Sequence, residues 1–422
     1  MKRIVLSVVA LVIISVSAYA QFNLGAEFRP RFEFRDSYKV LPPTFGQIPA
    51  FQISQRTRLN VGFKWSIVNT YLSFQDVRLW GDEAMKTDVA GLGLYQGWAE
   101  IKVCDSLFIK AGRQEFAYDN ERLFTPSNWS QKGLTHDALL LKYNHRGFSV
   151  DVAAAFNQSK DTTNSTDYNT ALGNYKALSF AWLKYQFNRH FALQGVFIAD
   201  GYQKKTDAKV IYARATSGGV FNFMSKYVNT DARCFYQFGQ DQSGAKIYAY
   251  YINADVTVKP IKWFTIFTGT EFFSGNDMTD ATNKNLNAFN YLYGSGHRYN
   301  GNIDFFTKPS DTKNLGLTDI YMDFIFLLKQ KYQLRADFHY FRTEYNYIQN
   351  FIRANPYLGC EADITAKIPI VKDVDVQVGY SLFRSSQMLQ VMQGNNKKKM
   401  SQWAFVMLTV KPTLFTWDGN KK

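Results

Sequence analysis

Between Phe22 and Arg35 the chain alternates with a period of two. The even positions are Phe22, Leu24, Ala26, Phe28, Pro30, Phe32 and Phe34, and the odd ones include Glu27, Arg29, Arg31, Glu33 and Arg35. A strand sends successive side chains to opposite faces, so the segment predicts a strand with one apolar face and one face carrying both signs of charge. In a soluble sheet the apolar face meets a core. In a membrane barrel it meets lipid, and the charges line an internal channel.

The same pattern returns along the whole chain. In 51–65 an outward set (Phe51, Ile53, Leu59, Val61, Phe63, Trp65) opposes Gln52, Ser54, Arg56, Arg58, Asn60 and Lys64. Similar alternation marks 148–156, 248–258, 319–328, 333–340, 358–367 and 374–382; in 358–367 it puts Leu358 and Cys360 outside. Short turns near 66–69, 104–106, 144–147, 188–190, 259–262, 329–331 and 369–373 alternate with longer polar stretches. Those are 36–50, 82–90, 116–133, 159–174, 201–208, 239–245, 274–314, 345–355 and 385–400. Outer-membrane barrels sort their connections in this way, with short periplasmic turns and long extracellular loops. The expectation is an all-β, transmembrane antiparallel β-barrel of about 18 strands with both termini periplasmic. Sixteen is the alternative, because Gly218-Gly219 blurs a turn within 211–227 and the parity slips within 68–80. Barrels of this size leave an aqueous lumen, whereas eight-stranded ones are filled by their own side chains. The long 274–314 stretch is a candidate constriction or cover.

Residues 1–20 read as a secretory signal peptide. Lys2 and Arg3 precede the apolar run Ile4 to Val16, and Ala18-Tyr19-Ala20 forms a small-x-small cleavage site, leaving 21–422 as one barrel domain. No later run reaches the length of a membrane helix, and mean hydropathy is −0.27. Yet 17% of residues are aromatic, with 26 Tyr and 36 Phe, as the aromatic girdles of a barrel require. The net charge is +14, or two less once Lys2 and Arg3 leave with the leader. For an exported chain this surplus excludes nucleic acid as the natural partner. It suits either an anion-attracting lumen or lysines that merely decorate loops and turns. Cys104, Cys234 and Cys360 form neither a metal pattern nor a disulfide framework. The five histidines (His136, His145, His190, His297, His339) sit beside no serine that announces a nucleophile, so neither an enzyme nor a cofactor is expected.

The candidate lumen groups are inward arginines: Arg29, Arg31, Arg35, Arg56, Arg58, Arg78, Arg233 and Arg335, with Arg113 added on a register the alternation leaves open. Guanidinium is a fixed, planar, always-charged fork that suits carboxylate and phosphate. Acids interleave with them, among them Glu27, Glu33, Asp76 and Glu100. The competing reading is that arginines and acids neutralise each other across neighbouring strands and only brace the wall.

The succession Gln55-Arg56-Thr57-Arg58-Leu59, Gln75-Asp76-Val77-Arg78-Leu79-Trp80-Gly81, Leu94-Tyr95-Gln96-Gly97-Trp98-Ala99-Glu100 and Ala111-Gly112-Arg113-Gln114-Glu115-Phe116-Ala117-Tyr118, with Glu121-Arg122-Leu123 beyond, resembles the alginate export family of outer-membrane porins. The resemblance implies an 18-stranded monomeric barrel in the outer membrane of a Gram-negative bacterium, with an arginine-rich lumen that passes a polyuronate. It marks Arg31, Arg56, Arg58, Arg78 and Arg113 as lumen arginines, with Asp76 and Glu100 as acidic partners. The expected function is facilitated diffusion of an anionic solute, a uronic-acid polysaccharide or oligosaccharide such as alginate. A general or small-anion porin and a structural or adhesive barrel closed by its loops are the alternatives. The expected surroundings are outer-membrane lipid, lipopolysaccharide and a periplasmic export machine.

Overall fold

In the computed structural model the alternating segments close into one antiparallel barrel. The structure describes residues 20–42, 47–86, 89–170, 173–280, 282–349, 352–353, 355–394 and 400–419. Except for Ala20, which opens the first strand, the expected leader lies outside the described residues.

The first hairpins are β1 (Ala20–Asp36), β2 (Ala50–Trp65), β3 (Val68–Leu79), β4 (Gly93–Cys104), β5 (Leu107–Gln114) and β6 (His136–His145). They continue as β7 (Phe148–Phe156), β8 (Ala177–Gln186), β9 (Phe191–Lys204), β10 (Asp207–Met224), β11 (Val228–Gln240) and β12 (Lys246–Ile261). The last third is β13 (Phe264–Phe273), β14 (Leu317–Leu328), β15 (Tyr332–Arg342), β16 (Tyr357–Val371), β17 (Val374–Ser385) and β18, which runs over Met400–Val410 and resumes over Thr413–Asp418. Pro412 has no N–H to give the ladder, and β18 breaks there. Both halves of β18 pair with β1, as in Phe32↔Val406 and Gln21↔Asp418, so the 18 strands leave no edge. Gly419 N–H donates to the Ala20 carbonyl, placing both described ends at the rim of short turns.

The faces are inverted relative to a soluble protein. Phe28, Phe32, Phe51, Leu59 and Phe63 are exposed, whereas Glu27, Arg29, Arg31, Glu33, Arg56 and Arg58 are buried. Only an apolar surround makes that distribution favourable.

Three expectations need correction. Residues 201–208 form no long loop, because β9 runs out to Lys204 and β10 starts at Asp207. Gly218-Gly219 marks no turn and lies in mid-strand opposite Phe235 and Cys234. Leu358 points inward and is fully buried, because the register shifts between Phe341 and Arg342.

Among the long connections that enter the barrel are residues 115–135 and 274–316. Together with the walls they build an internal apolar core from Phe116, Phe124, Phe180, Phe273, Phe305 and Phe383, among others. Phe116 meets Phe180 edge-on at 5.0 Å and Phe305 meets Phe383 at 4.4 Å, as aromatic quadrupoles prefer. Over residues 286–316 the second connection therefore folds inward as a constriction. The inward course of 115–135 had no counterpart in the alternation.

Candidate functional site: the loop-narrowed lumen

On β1 and β2 the inward positions put Arg29 opposite Arg56 and Glu27 opposite Arg58. Like charges at opposed positions need counter-groups, and the 115–135 loop supplies them. Arg29 donates to the carbonyls of Asn128 (2.8 Å) and Ser130 (3.1 Å) and to Gln131. Arg31 donates to the Trp129 carbonyl at 2.8 Å and lies 4.2 Å over the Trp129 ring. Arg56 pairs with Glu27 and donates to the Ser130 carbonyl, and Arg35 pairs with Glu33 at 3.1 Å. Arg58 lies 3.6 Å over the Tyr95 ring and donates to Gln75 at 3.0 Å. The side chains of Arg29, Arg31 and Arg56 are 3–8% exposed, so they clamp the loop and offer little to a solute.

The opposite wall carries carboxylates. Asp323, Asp337 and Asp363 are direct neighbours across β14, β15 and β16, and Glu271 faces Asp319. Here the loops supply donors. Arg122 of the first loop is fully buried against Glu271, with Tyr299 of the second loop 4.0 Å from its guanidinium. Burial alone would lower the pKa of Arg122, but the Glu271 carboxylate raises it above the ordinary arginine value, so it stays charged. Asn300 donates to both Glu271 and Asp319 at 3.2 Å, and the Ile303 N–H to Glu361 at 2.8 Å. Arg233 binds Asp255 at 2.7 Å and reaches Asp119 of the first loop at 2.5 Å. The second loop is fixed further by Asp304, which accepts from Tyr38 and pairs with His297 at 2.7 Å.

Between the loops and the wall lie cavities of about 260 and 360 Å³ lined by described residues. Their linings include Phe267, Ile325 and Gln377, each near the short-turn end of its strand. Arg298 and Arg335 line both cavities and so stand at the junction. Arg335 bridges Asp323 (2.8 Å) and Asp337 (2.7 Å), and Arg298 pairs with Glu121 at 3.1 Å. Their side chains are nevertheless 39% and 52% exposed, far above those of the clamped arginines.

Three expected lumen residues stand on the outer face. Asp76 and Arg78 pair across the ladder with Thr57 and Gln55, outward positions of β2, and Arg113 is opposite Gly97 and Asp137. Asp76 and Arg78 join each other at 2.7 Å, and Arg113 joins Asp137 at 2.8 Å. All lie at the long-loop ends of their strands, above the apolar band, where charge on the outer face is tolerated. The expected parity slip in 68–80 does not occur: β3 pairs with β2 without a register shift, so Gln75 points in and Asp76 and Arg78 point out. Glu100 does face inward, and its partner is Lys142, at 3.1 Å. Arg122 and Arg298 escaped the sequence reading because loop residues have no alternation to orient them. The stretch Glu121-Arg122-Leu123 was the one signal available.

The profile of the family described as Alginate export matches residues 20–401. No curated relative matches the sequence. Among solved structures the fold is similar to Acinetobacter baumannii OccAB1, with 12% identity, 93% of this chain and 97% of that one covered, and a TM-score of 0.63. It is also similar to Pseudomonas aeruginosa OpdL, with 11% identity, 93% and 99% covered and a TM-score of 0.64. Pseudomonas aeruginosa OpdK, solved with vanillate, gives 10% identity, 94% and 99% covered and a TM-score of 0.61.

Proposed function

The chain belongs to the alginate export family, a channel of the Gram-negative outer membrane and not an enzyme, and from that premise we propose that it passes a carboxylated, polyhydroxylated solute of the uronate class by facilitated diffusion. The observation that carries this reading is the junction of the two cavities. Arg298 and Arg335 meet there, and they keep far more of their side chains exposed than Arg29, Arg31 and Arg56 on the opposite wall. A guanidinium that is half solvated holds a carboxylate without trapping it, as conduction requires. Around the junction Asn120, Asn302, Tyr299 and Thr365 offer partners to sugar hydroxyls. Cavities of this size suit one or two sugar rings at a time, so a longer uronate passes extended, ring by ring.

In this reading the leader is removed, the barrel works as a monomer within outer-membrane lipid and lipopolysaccharide, and a periplasmic machine supplies the solute if the direction is outward. The test is a planar-bilayer reversal potential under a salt gradient. The expected sign is that of an anion-preferring pore, and a cation-preferring sign would overturn the proposal.

A further inference from the structure

Low on the wall, away from the arginine junction, four strands build an aromatic floor from two stacked rings. Across β2, β3, β4 and β5 the inward residues at one level are Gly62, Tyr71, Trp98 and Gly112, each directly opposite the next. The glycines flank the two rings, so neither ring is lifted off the wall by a neighbour. At Gly112, with φ of +121°, a Cβ would come within 2.3 Å of the Gly97 carbonyl oxygen, so no other residue fits there. The Tyr71 and Trp98 rings lie nearly parallel, 28° apart with centroids 5.6 Å apart. Their polar tips are turned aside, the Tyr71 hydroxyl to Asn60 at 3.1 Å and the Trp98 Nε1 to Gln96 at 3.1 Å. Both side chains are half-buried rather than covered.

Charge borders this floor on the short-turn side. The Lys110 ammonium lies 3.9 Å from the Trp98 ring centroid, and among the described residues it makes no ion pair. Lys142 stands beyond and takes the nearby Glu100, and Lys64 is on the same face. Asp151 lies directly opposite Lys142 on this face, so lysines and acids alternate here, and Lys110 is the lysine held against the indole.

We propose that this floor is a binding subsite for a pyranose ring that carries a carboxylate. The C–H face of the ring packs on Tyr71 and Trp98, and Lys110 leaves the indole to take the carboxylate. A cation–π contact of a half-buried ammonium is worth roughly 0.5–2 kcal/mol and can be exchanged for a carboxylate. The subsite rests on the reading of a uronate-class solute and adds where, and by which groups, a single ring is recognised.

The test is block of single-channel current by tri-galacturonate, with maltotriose as the neutral control, both added on the periplasmic side. Lys110→Gln is expected to weaken block by tri-galacturonate about fivefold and leave maltotriose unchanged. Trp98→Leu, which keeps the wall apolar, is expected to weaken both. Unchanged block in a folded Trp98→Leu barrel, judged by heat-dependent gel migration, would overturn the subsite. So would equal loss of both sugars in Lys110→Gln. An anion-preferring pore that tri-galacturonate never blocks would remove the subsite alone. A cation-preferring pore whose block still depends on Trp98 would remove only the anion preference.

Discussion

The arginine wall of β1 and β2 and the carboxylate wall of β13 to β16 face the same lumen and carry opposite charge, yet the protein treats them alike. Each is covered by a loop that presents the complementary group. Backbone carbonyls of 128–130 meet Arg29, Arg31 and Arg56, whereas Arg122, Asn300 and the Ile303 N–H meet Glu271, Asp319 and Glu361. The lesson is that an inward charge is not yet a charge offered to a solute. Buried polar groups must be satisfied, and here the loops satisfy most of them, leaving Arg298 and Arg335 as the cations most exposed at the cavity junction.

The strongest way to break the likeness between the walls is to remove the residue that ties both loops to the acidic one. Arg122→Ala leaves Glu271 buried without its ion, a loss of about 3–5 kcal/mol for such a pair. Heat-dependent gel migration is expected to shift at a clearly lower temperature, and single-channel current to become larger and noisier as the loops loosen. Wild-type stability together with wild-type current would mean that the latch holds nothing. Glu271→Gln, which can still accept from Arg122 and Tyr251, is expected to behave more mildly.

On the arginine wall, Arg56→Ala strands Glu27 beneath the loop and is expected to lower stability by about 3 kcal/mol. The same readout checks it. The smallest effect is expected outside the barrel. Arg113→Ala breaks an exposed pair with Asp137 worth about 0.2–1 kcal/mol and touches no lumen water, so conductance and reversal potential should stay at wild-type values. A shifted reversal potential in that variant would place Arg113 on the conducting path after all.

Much of the barrel was legible because membrane strands obey a strict parity. Phe22 to Arg35 and Phe51 to Trp65 fall on the faces that alternation assigns, and the sorting of short and long connections led to the observed 18 strands. Parity misled where charge stands on the outer face above the apolar band, as at Asp76 and Arg78, and where a register shift turns Leu358 inward, and it left Arg113 open. The site itself was harder to read. Arg122 and Arg298 lie on loops, where no period of two exists, and their partners Glu271 and Glu121 are fixed only by how those loops fold. The sequence likewise could not tell a clamped arginine from an accessible one, because Arg29 and Arg335 carry the same side chain in the same alternation.

That distinction is the centre of the account, and paired reversal potentials test it. In the same salt gradient, replacement of Arg298 and Arg335 together by Ala exposes Asp337 and Asp323 at the cavity junction and should move the reversal potential strongly toward cation preference. Replacement of Arg56 and Arg58 together by Ala, in a barrel that still folds, should move it far less, since both side chains are buried. The reverse ranking, with the β2 pair shifting the potential more than the junction pair, would contradict the account.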